Sequence, residues 1–264
     1  MHKKKLKINK FGAILSFVIV LMIIIGIFAT PYDPNKMDAA SKFSAPSINH
    51  IFGCDQFGRD IFSRVLVGGR TTLLVGGCTV LIGAFFGMIL GAITGFIGGI
   101  VDEILMRIND VVASFPSILL ALVFISLLGP NTGNVILALG IAFIPSFARI
   151  VRSEFIKYKD ADFVKSAKLM KVGKIRILFV HIMPNIMPTM LATAAIGFNN
   201  AVLAEAGMSY LGIGVMPPDA SLGRMMSESQ AYLSVAPWCA IFPGLFIVLM
   251  ILGFSLLSES LNRK

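Results

Sequence analysis

The sequence predicts an all-α membrane protein with six transmembrane helices and one charged helix on the cytoplasmic surface. Of its 264 residues, 56% are hydrophobic and only 14% are charged, and the mean hydropathy is +0.84. This composition is typical of an integral membrane protein rather than a soluble domain. Uncharged runs of about 20 residues or more recur along the chain, and each is long enough to cross a hydrocarbon core.

The first predicted span covers residues 11–29 and follows a cytoplasmic tail, residues 1–10, that is rich in lysine. A cleaved signal peptide has a shorter apolar core of about 7–15 residues that ends in small residues. The longer run here ends in Ile27-Phe28-Ala29-Thr30-Pro31, so we expect a retained anchor. The polar residues 30–70 are expected to form an extracytoplasmic loop.

Residues 71–257 hold the other five predicted spans. Residues 71–101 carry no charge and predict one long helix, after which the charged residues 102–110 are expected to form a short surface turn. Residues 111–148 are long enough for two spans with a turn at 129–134, and Arg149 and Arg152 end the fourth span. The last two spans are expected at about 185–204 and 237–257, followed by a cytoplasmic tail at 258–264.

Glycines recur at every fourth position of the second predicted span, at 83, 87, 91, 95 and 99. This spacing places them in one stripe along a helix. Helices associate in lipid through close packing, so the stripe predicts a helix that touches a neighbouring backbone.

The basic residues predict the orientation in the membrane. Six spans place both termini on one side, and 16 of the 23 lysine and arginine residues fall on that side. The positive-inside rule therefore places both termini in the cytoplasm, together with residues 152–184, which we call the cationic segment.

The cationic segment cannot lie within lipid, because each lysine at the centre of a membrane helix costs roughly 2.5–3.5 kcal/mol. Three apolar residues share one helical face by their spacing: Phe163, Ala167 and Met170. Three lysines share another face: Lys165, Lys168 and Lys171. Such a helix either rests on anionic headgroups or offers a surface to a soluble cytoplasmic partner.

Composition and motifs argue against catalysis, metal binding and nucleic-acid binding. The net charge of +9 comes from cations at the ends of apolar runs, whereas nucleic-acid binders carry theirs on a soluble face. The three cysteines and three histidines lack metal-ligand spacing. The sequence has no G-x-x-x-x-G-K-[ST], so it does not bind ATP through a P-loop. We expect no enzyme activity, no metal and no cofactor.

A few polar residues are candidates for function within the spans and the outer loop. Glu205, near the outer end of the fifth span, is expected either to face a wet cavity or a partner or to cap a hydrated helix end. Asn199 and Asn200 either line a pathway or join neighbouring helices. In the outer loop a local ion-pair cluster is expected, which as a surface cluster contributes little stability. Its members are Asp55, Arg59 and Asp60.

Residues 163–185, FVKSAKLMKVGKIRILFVHIMPN, resemble the cytoplasmic coupling motif of ABC-importer permeases, which reads E-A-A, three residues, Gly, nine residues and I-x-L-P. Alignment on Pro184 places three residues at the E-A-A positions: Lys165, Ser166 and Ala167. It places Lys171 at the glycine position, and we expect Gly173 to supply the flexibility of the turn two residues later.

Further segments are similar to one branch, the peptide and nickel permeases of the dipeptide/oligopeptide type. Residues 50–60, HIFGCDQFGRD, resemble H-x-x-G-T-D-x-x-G-R-D with Cys54 at the threonine position. Residues 204–214, AEAGMSYLGIG, followed by Pro217 and Pro218, resemble A-E-A-G-L-S-[FY]-L-G-L-G…P-P. A-P-W at 236–238 and F-P-G at 242–244 also match. The similarity spans residues 48–260, in the order found in the second of two paired permeases, the C-type subunit.

The resemblance implies a type I ABC-importer permease that transports small peptides, nickel or metal chelates across the cell membrane of a bacterium or archaeon. It implies four partners for this chain: a sister permease in a heterodimer, two cytoplasmic ATPase subunits and an extracytoplasmic solute-binding protein. The cluster at Asp55, Arg59 and Asp60 would help to dock the binding protein. Residues implied in ATPase coupling are Phe163, Lys165, Ser166, Ala167, Met170, Lys171, Gly173 and Pro184.

Two other functions are compatible with a charged polytopic protein. A secondary transporter driven by an ion gradient needs ionisable relay residues within its spans and commonly an inverted repeat, and the sequence shows little of either. A non-transporting scaffold would recruit a cytoplasmic partner without any sister permease.

Overall fold

The computed structural model describes residues 10–262, with the backbone alone for residues 260–262. The predicted tail residues 1–9 and 263–264 lie outside the described residues. The described chain is helical and contains no strand. Its helices are α1 (Lys10–Phe28), α2 (Ile61–Ile97), α3 (Gly99–Ala113), α4 (Ser117–Leu128), α5 (Thr132–Tyr158), α6 (Asp162–Leu169), α7 (Lys174–Arg176), a π-helix (Ile177–Ile182), α8 (Met183–Tyr210), α9 (Leu222–Ser229) and α10 (Trp238–Asn262).

Five helical stretches in the described chain are long and apolar enough to cross a membrane: α1, α2, α5, the stretch from α7 through α8, and α10. A sixth crossing arises if α3 and α4, which meet at 83°, count as one bent span. The prediction of an all-α polytopic fold is confirmed. The third span differs from expectation, because α4 has 12 residues and is about 18 Å long, shorter than a hydrocarbon core of about 30 Å.

The boundary of the outer loop is wrong in the sequence interpretation, because residues 61–70 are the first turns of α2 rather than loop. Asp60 caps this helix, and its carboxylate accepts hydrogen bonds from the backbone N–H and the hydroxyl of Ser63 at 2.8 and 2.7 Å. At 37 residues, α2 is about 55 Å long and extends well beyond the bilayer core.

The predicted charged turn at 102–110 is also wrong, because these residues form most of α3. Two of its four charged residues pair with α5, while Glu103 and Arg107 are exposed. The guanidinium of Arg152 donates two hydrogen bonds to Asp102, at 2.6 and 2.7 Å, and Arg149 donates one to Asp110 at 3.0 Å. These pairs hold α3 against α5, and α5 continues past both arginines to Tyr158.

The C-terminal boundary shifts in the same way, since α10 extends through residues 258–262 of the predicted tail. Ser258 is buried, and its hydroxyl donates to the carbonyl of Ala192 in α8 at 3.2 Å. The end of α10 is therefore part of the packed bundle.

Four of the five glycines in the predicted stripe bring α2 against α5. A Cβ added at Gly87 would lie 2.5 Å from the Cβ of Phe147, and one at Gly91 would lie 2.5 Å from the carbonyl oxygen of Ala148. Gly83 and Gly95 have similarly close neighbours on α5. Gly99 has none, because it lies beyond the end of α2 and opens α3 with a φ of +61°. The predicted close contact is confirmed for the part of the stripe that lies within α2.

Replacing Gly91 with valine should destabilise the bundle by about 1–3 kcal/mol, because the added atoms meet α5 backbone rather than movable side chains. Gly77→Val is the matched control on the same helix, since a Cβ there has nothing within 4 Å. Thermal unfolding of the two purified variants in detergent measures the difference. Equal unfolding temperatures would contradict the tight α2–α5 contact.

Candidate coupling site and central cavity

Helix α6 within the cationic segment is fixed to the body of the protein by two small apolar side chains. Val164 is fully buried and Ala167 is 5% exposed, and both belong to the same apolar cluster as Ile177 and Ile182 of the π-helix. Asp162 lies in the first turn of α6 and Lys168 in the last, an arrangement that the helix dipole favours. Helix α6 is therefore an ordered part of the cationic segment and is attached to the bundle.

The apolar face of α6 that the residue spacing predicts, formed by Phe163, Ala167 and Met170, is buried only in part. Ala167 is buried, but Phe163 is half-exposed and Met170 is exposed. Val164, three residues before Ala167, completes the buried face in their place. The sequence interpretation also missed two exposed apolar side chains, Leu169 and Ile175. The sequence did contain a pattern that could have identified them, because an apolar side chain among lysines at a charged surface is expected to pack against the protein or against a partner.

The turn after α6 keeps the shape that a glycine would give it, although a lysine stands there. Lys171 has a φ of +54°, in the left-handed region that glycine ordinarily occupies at this position of a helix end. The Val172 N–H donates to the Ala167 carbonyl and the Lys171 N–H to the Lys168 carbonyl, both at 3.0 Å, which is the Schellman pattern. Gly173 has an ordinary φ of −61°, so the left-handed residue of the turn is Lys171 and not Gly173.

Lys171→Gly should stabilise the purified protein by about 0.5–1 kcal/mol, because glycine adopts a positive φ without the steric cost that lysine bears. Gly173→Ala should change stability by less than about 0.5 kcal/mol, since that residue has ordinary backbone angles and open space around its Cα. Thermal unfolding of both variants checks the pair. A destabilised Lys171→Gly variant would contradict the strained turn.

The turn after α6 leads directly into a helical stretch of 37 residues. From Lys174 through Tyr210, α7, the π-helix and α8 form one continuous helical stretch. Pro184, the proline of the sequence motif, lies in the first turn of α8, where its missing N–H disturbs the regular ladder. The adjacent π-helix accommodates this, with the Met183 N–H bonded to the Leu178 carbonyl five residues back.

A cavity of about 430 Å³ lies between α4, α5 and α8. Its wall is mostly apolar, with four polar side chains: Ser117, Ser146, Thr193 and Asn200. Asn200 is exposed and lies ten residues before the end of α8, or about 15 Å, which is half the thickness of a hydrocarbon core. An exposed amide at that depth is costly in lipid, so this side chain faces water or a partner helix.

The two predicted asparagines have different surroundings. Asn200 lines the cavity, as one of the two predicted alternatives requires. Asn199 is not among the lining residues, and its side-chain oxygen is buried without a hydrogen-bond partner in the described part of the chain.

Glu205 neither faces the cavity nor caps a hydrated end, so both structural alternatives raised from the sequence need correction. Its side chain is fully buried. Its carboxylate accepts hydrogen bonds from the hydroxyls of Thr72 on α2 at 2.9 Å and Ser209 on α8 at 2.7 Å. The Ser209 hydroxyl in turn accepts a bond from the Val215 N–H at 3.0 Å. Glu205 therefore joins α2 to α8, and Ser209 links them to the segment that follows α8.

The predicted charged cluster of the outer loop, Asp55, Arg59 and Asp60, is buried rather than exposed at the surface. Arg59 donates to Asp55 at 2.6 Å and to Glu228 of α9 at 3.1 Å, and each of these side chains is 20% exposed or less. Arg64 lies 3.7 Å from Asp55 and 3.6 Å from Glu228. Asp60 is also buried and contacts His50 at 2.9 Å. The expectation of a weak surface cluster is wrong, because Glu228, far away in sequence, covers it.

Cys54, which stands at the threonine position of the loop motif, lies beneath this cluster and is fully buried. Burial, together with the negative charges of Asp60 and Asp55, raises the pKa of its thiol to about 11. The thiol therefore stays protonated and unreactive near neutral pH. Its backbone carbonyl accepts a hydrogen bond from the Trp238 indole at 3.3 Å, which ties the loop to α10.

A bundle of membrane-crossing helices, with a mostly apolar cavity and a charged surface helix joined to the cavity wall, is typical of a membrane transport protein. The chain belongs to the family of binding-protein-dependent transport system inner membrane components, whose family model matches residues 87–264. It is accordingly a multi-pass permease of the ABC-importer class, and the resemblance noted from its motifs is confirmed.

The relatives span nearly the whole chain. A dipeptide transport system permease protein of Alkalihalophilus pseudofirmus is 38% identical over 262 residues, covering 98% of this chain and 86% of the relative. A glutathione transport system permease protein of Shigella flexneri is 40% identical, covering 92% and 82%. A putative peptide transport system permease protein of Brucella suis is 36% identical, covering 96% and 85%. None of these comparisons favours a secondary transporter or a scaffold.

Proposed function

We propose that this chain is one of two unlike permease subunits of an ATP-driven importer of small peptides. The sister permease supplies the other half of the pathway, two ATPase subunits bind on the cytoplasmic side, and a solute-binding protein delivers the substrate from outside. The transport functions for which the relatives are named support peptides over nickel or metal chelates, since they concern dipeptides, peptides and glutathione.

The observation that carries the proposal is the direct connection between the coupling helix and the cavity wall. Val164 and Ala167 fix α6 to the π-helix, and the π-helix continues into α8, which carries Thr193 and Asn200 in the cavity. A displacement of α6 therefore moves one wall of the cavity. ATP binding closes the ATPase pair, moves α6 and turns the cavity outward, while ATP hydrolysis takes place in the other subunits.

The outward side of the coupling helix supplies the ATPase contact in this proposal. It combines exposed apolar side chains with cations on a short, rigid helix and turn, which suits a groove with apolar walls and an acidic rim. Ala167 serves this surface indirectly by holding α6 in place. The contact residues are Phe163, Lys165, Ser166, Leu169, Met170 and Ile175.

The proposed orientation places both termini and α6 in the cytoplasm of a bacterium or archaeon. It is supported by the excess of basic residues on that side and by the pairs of Arg149 and Arg152 with α3 at the same end of the bundle. At the opposite end, the buried cluster around Asp55, Arg59 and Asp60 shapes the outer loop for the binding protein. The exposed side chains of that loop, Ile48, Ile51 and Phe57, make the contact.

Uptake in a deletion strain tests the proposed function. Loss of the chain should abolish uptake of labelled dipeptide and leave uptake of radioactive nickel unchanged, and a plasmid copy should restore peptide uptake. Inactivation of the ATPase subunits should have the same effect as the deletion. Peptide uptake that persists without the ATPase subunits, or a defect in nickel uptake alone, would overturn the proposal.

A further inference from the structure

Among the residues that the structure describes, none with an ionisable side chain lines the cavity between α4, α5 and α8. Its thirteen lining residues are apolar, glycine, hydroxyl or amide residues. Two charged groups on the helices that form the wall have partners outside the cavity: both oxygens of Glu205 accept hydroxyl hydrogen bonds, and Arg149 pairs with Asp110. A solute in the cavity therefore meets no fixed charge from residues 10–259 of this subunit.

Neutral hydrogen-bonding groups are free at the same wall. In the described part of the chain, the side chains of Ser117, Ser146 and Asn200 make no hydrogen bond. Thr193 uses its hydroxyl hydrogen on the Thr189 carbonyl at 2.9 Å and keeps its oxygen as an acceptor. These groups come from three helices, α4, α5 and α8, so a solute is offered both donors and acceptors on different sides.

A charge placed at such a wall would act strongly on a charged solute. The cavity lies at membrane depth, where the surroundings are less polarisable than water and charges are poorly screened. A fixed carboxylate there would slow anionic solutes and favour cationic ones, and a fixed ammonium group would do the reverse. The neutral wall does neither, while its hydroxyl and amide groups replace part of the hydration of peptide bonds, which every peptide has in common.

We propose that Asn200 and Ser146 make this half of the pathway indifferent to the charge of a peptide's side chains, by binding backbone amides through neutral groups only. The inference rests on the proposed function and names its substrate class more closely: short peptides carrying side chains of either sign. The choice among peptides then lies with the binding protein, and the wall adds no selection by charge.

The test introduces charges of both signs at the wall in the complete transporter. Asn200→Asp and Asn200→Lys are compared with the wild type for initial uptake of Ala-Lys and Ala-Glu, at concentrations that saturate the binding protein. Because the binding protein is unchanged, its preference cancels when each variant's uptake ratio is divided by that of the wild type. Asn200→Asp should shift the ratio about tenfold toward Ala-Lys, and Asn200→Lys should shift it in the opposite direction.

Two further variants make the result specific to the cavity. Ser146→Asp should shift the ratio in the same direction as Asn200→Asp, because both residues line the cavity. Ser126→Asp adds the same charge on α4 at an exposed residue outside the cavity lining and should leave the ratio within twofold of the wild type.

Three outcomes would overturn the inference. The first is an unchanged ratio in all the cavity variants, and the second is a shift of the same sign from both Asp and Lys at position 200. The third is complete loss of uptake for both peptides from folded, ATPase-stimulated variants, which would make these residues part of a moving gate. A wild-type transporter that takes up neither peptide would instead contradict the proposed function itself.

Discussion

Ala167→Glu should insert into the membrane in normal amounts but reduce peptide uptake at least tenfold. Ala167 is 5% exposed and shares an apolar cluster with Val164, Ile177 and Ile182. A carboxylate at this position would be buried without a partner, at a cost of several kcal/mol, so α6 should detach from the π-helix. ATP hydrolysis in the assembled transporter would then proceed without moving α8.

Ser166→Glu is the matched control for detachment of α6, since Ser166 is the preceding residue and is exposed. It is not a control for uptake, because Ser166 belongs to the proposed ATPase contact. Limited trypsin digestion of the permease alone should cleave at Lys165 and Lys168 faster in Ala167→Glu than in the wild type or in Ser166→Glu. This readout requires no ATPase, so it separates detachment of α6 from a changed contact surface. Normal uptake by Ala167→Glu would count against the role of Ala167 in coupling.

Glu205→Leu should lower the free energy of unfolding by about 2–4 kcal/mol. The substitution keeps the side-chain volume but removes the acceptor shared by the hydroxyls of Thr72 and Ser209. Each buried hydroxyl left without an acceptor costs about 1–3 kcal/mol, and those within helices recover part of this by bonding a carbonyl of the preceding turn.

Glu205→Gln tests whether the loss comes from the missing acceptor. Glutamine keeps one acceptor oxygen, so its cost should be about 1 kcal/mol, and Thr72→Val, which removes a single donor, should cost about as much. Unfolding in detergent, followed by tryptophan fluorescence from Trp238, measures all three variants. A Glu205→Leu variant as stable as the wild type would show that the network contributes nothing.

The uncharged runs allowed the membrane-crossing helices to be predicted, because the bilayer imposes a length and a composition on each of them. The wrong predictions concern charged residues that were expected at the surface but pair with a residue far away in the sequence. Residues 102–110 were predicted to form a surface turn, because the sequence does not reveal that Asp102 pairs with Arg152, 50 positions away. Asp55 and Arg59 read as a surface pair because Glu228, 169 positions from Arg59, covers them only after folding.

The candidate site was predicted in outline but not in geometry. The motif ending at Pro184 indicated where the proposed coupling helix lies, and the spacing placed Ala167 on its apolar face, but which apolar residues of that face are buried could not be predicted. Lys171 could not be recognised as a left-handed residue, because lysine carries no conformational signature and the nearby Gly173 appeared better suited to the turn. Glu205 was singled out as a candidate, but its partner Thr72 lies 133 positions away on α2, which no local pattern reveals.

The short α4 limits how much of the membrane barrier this part of the chain supplies. At about 18 Å, α4 covers little more than half of a hydrocarbon core of about 30 Å. In the proposed transport cycle, the seal beside the cavity therefore has to come from α5, α8 or the sister permease rather than from α4 alone.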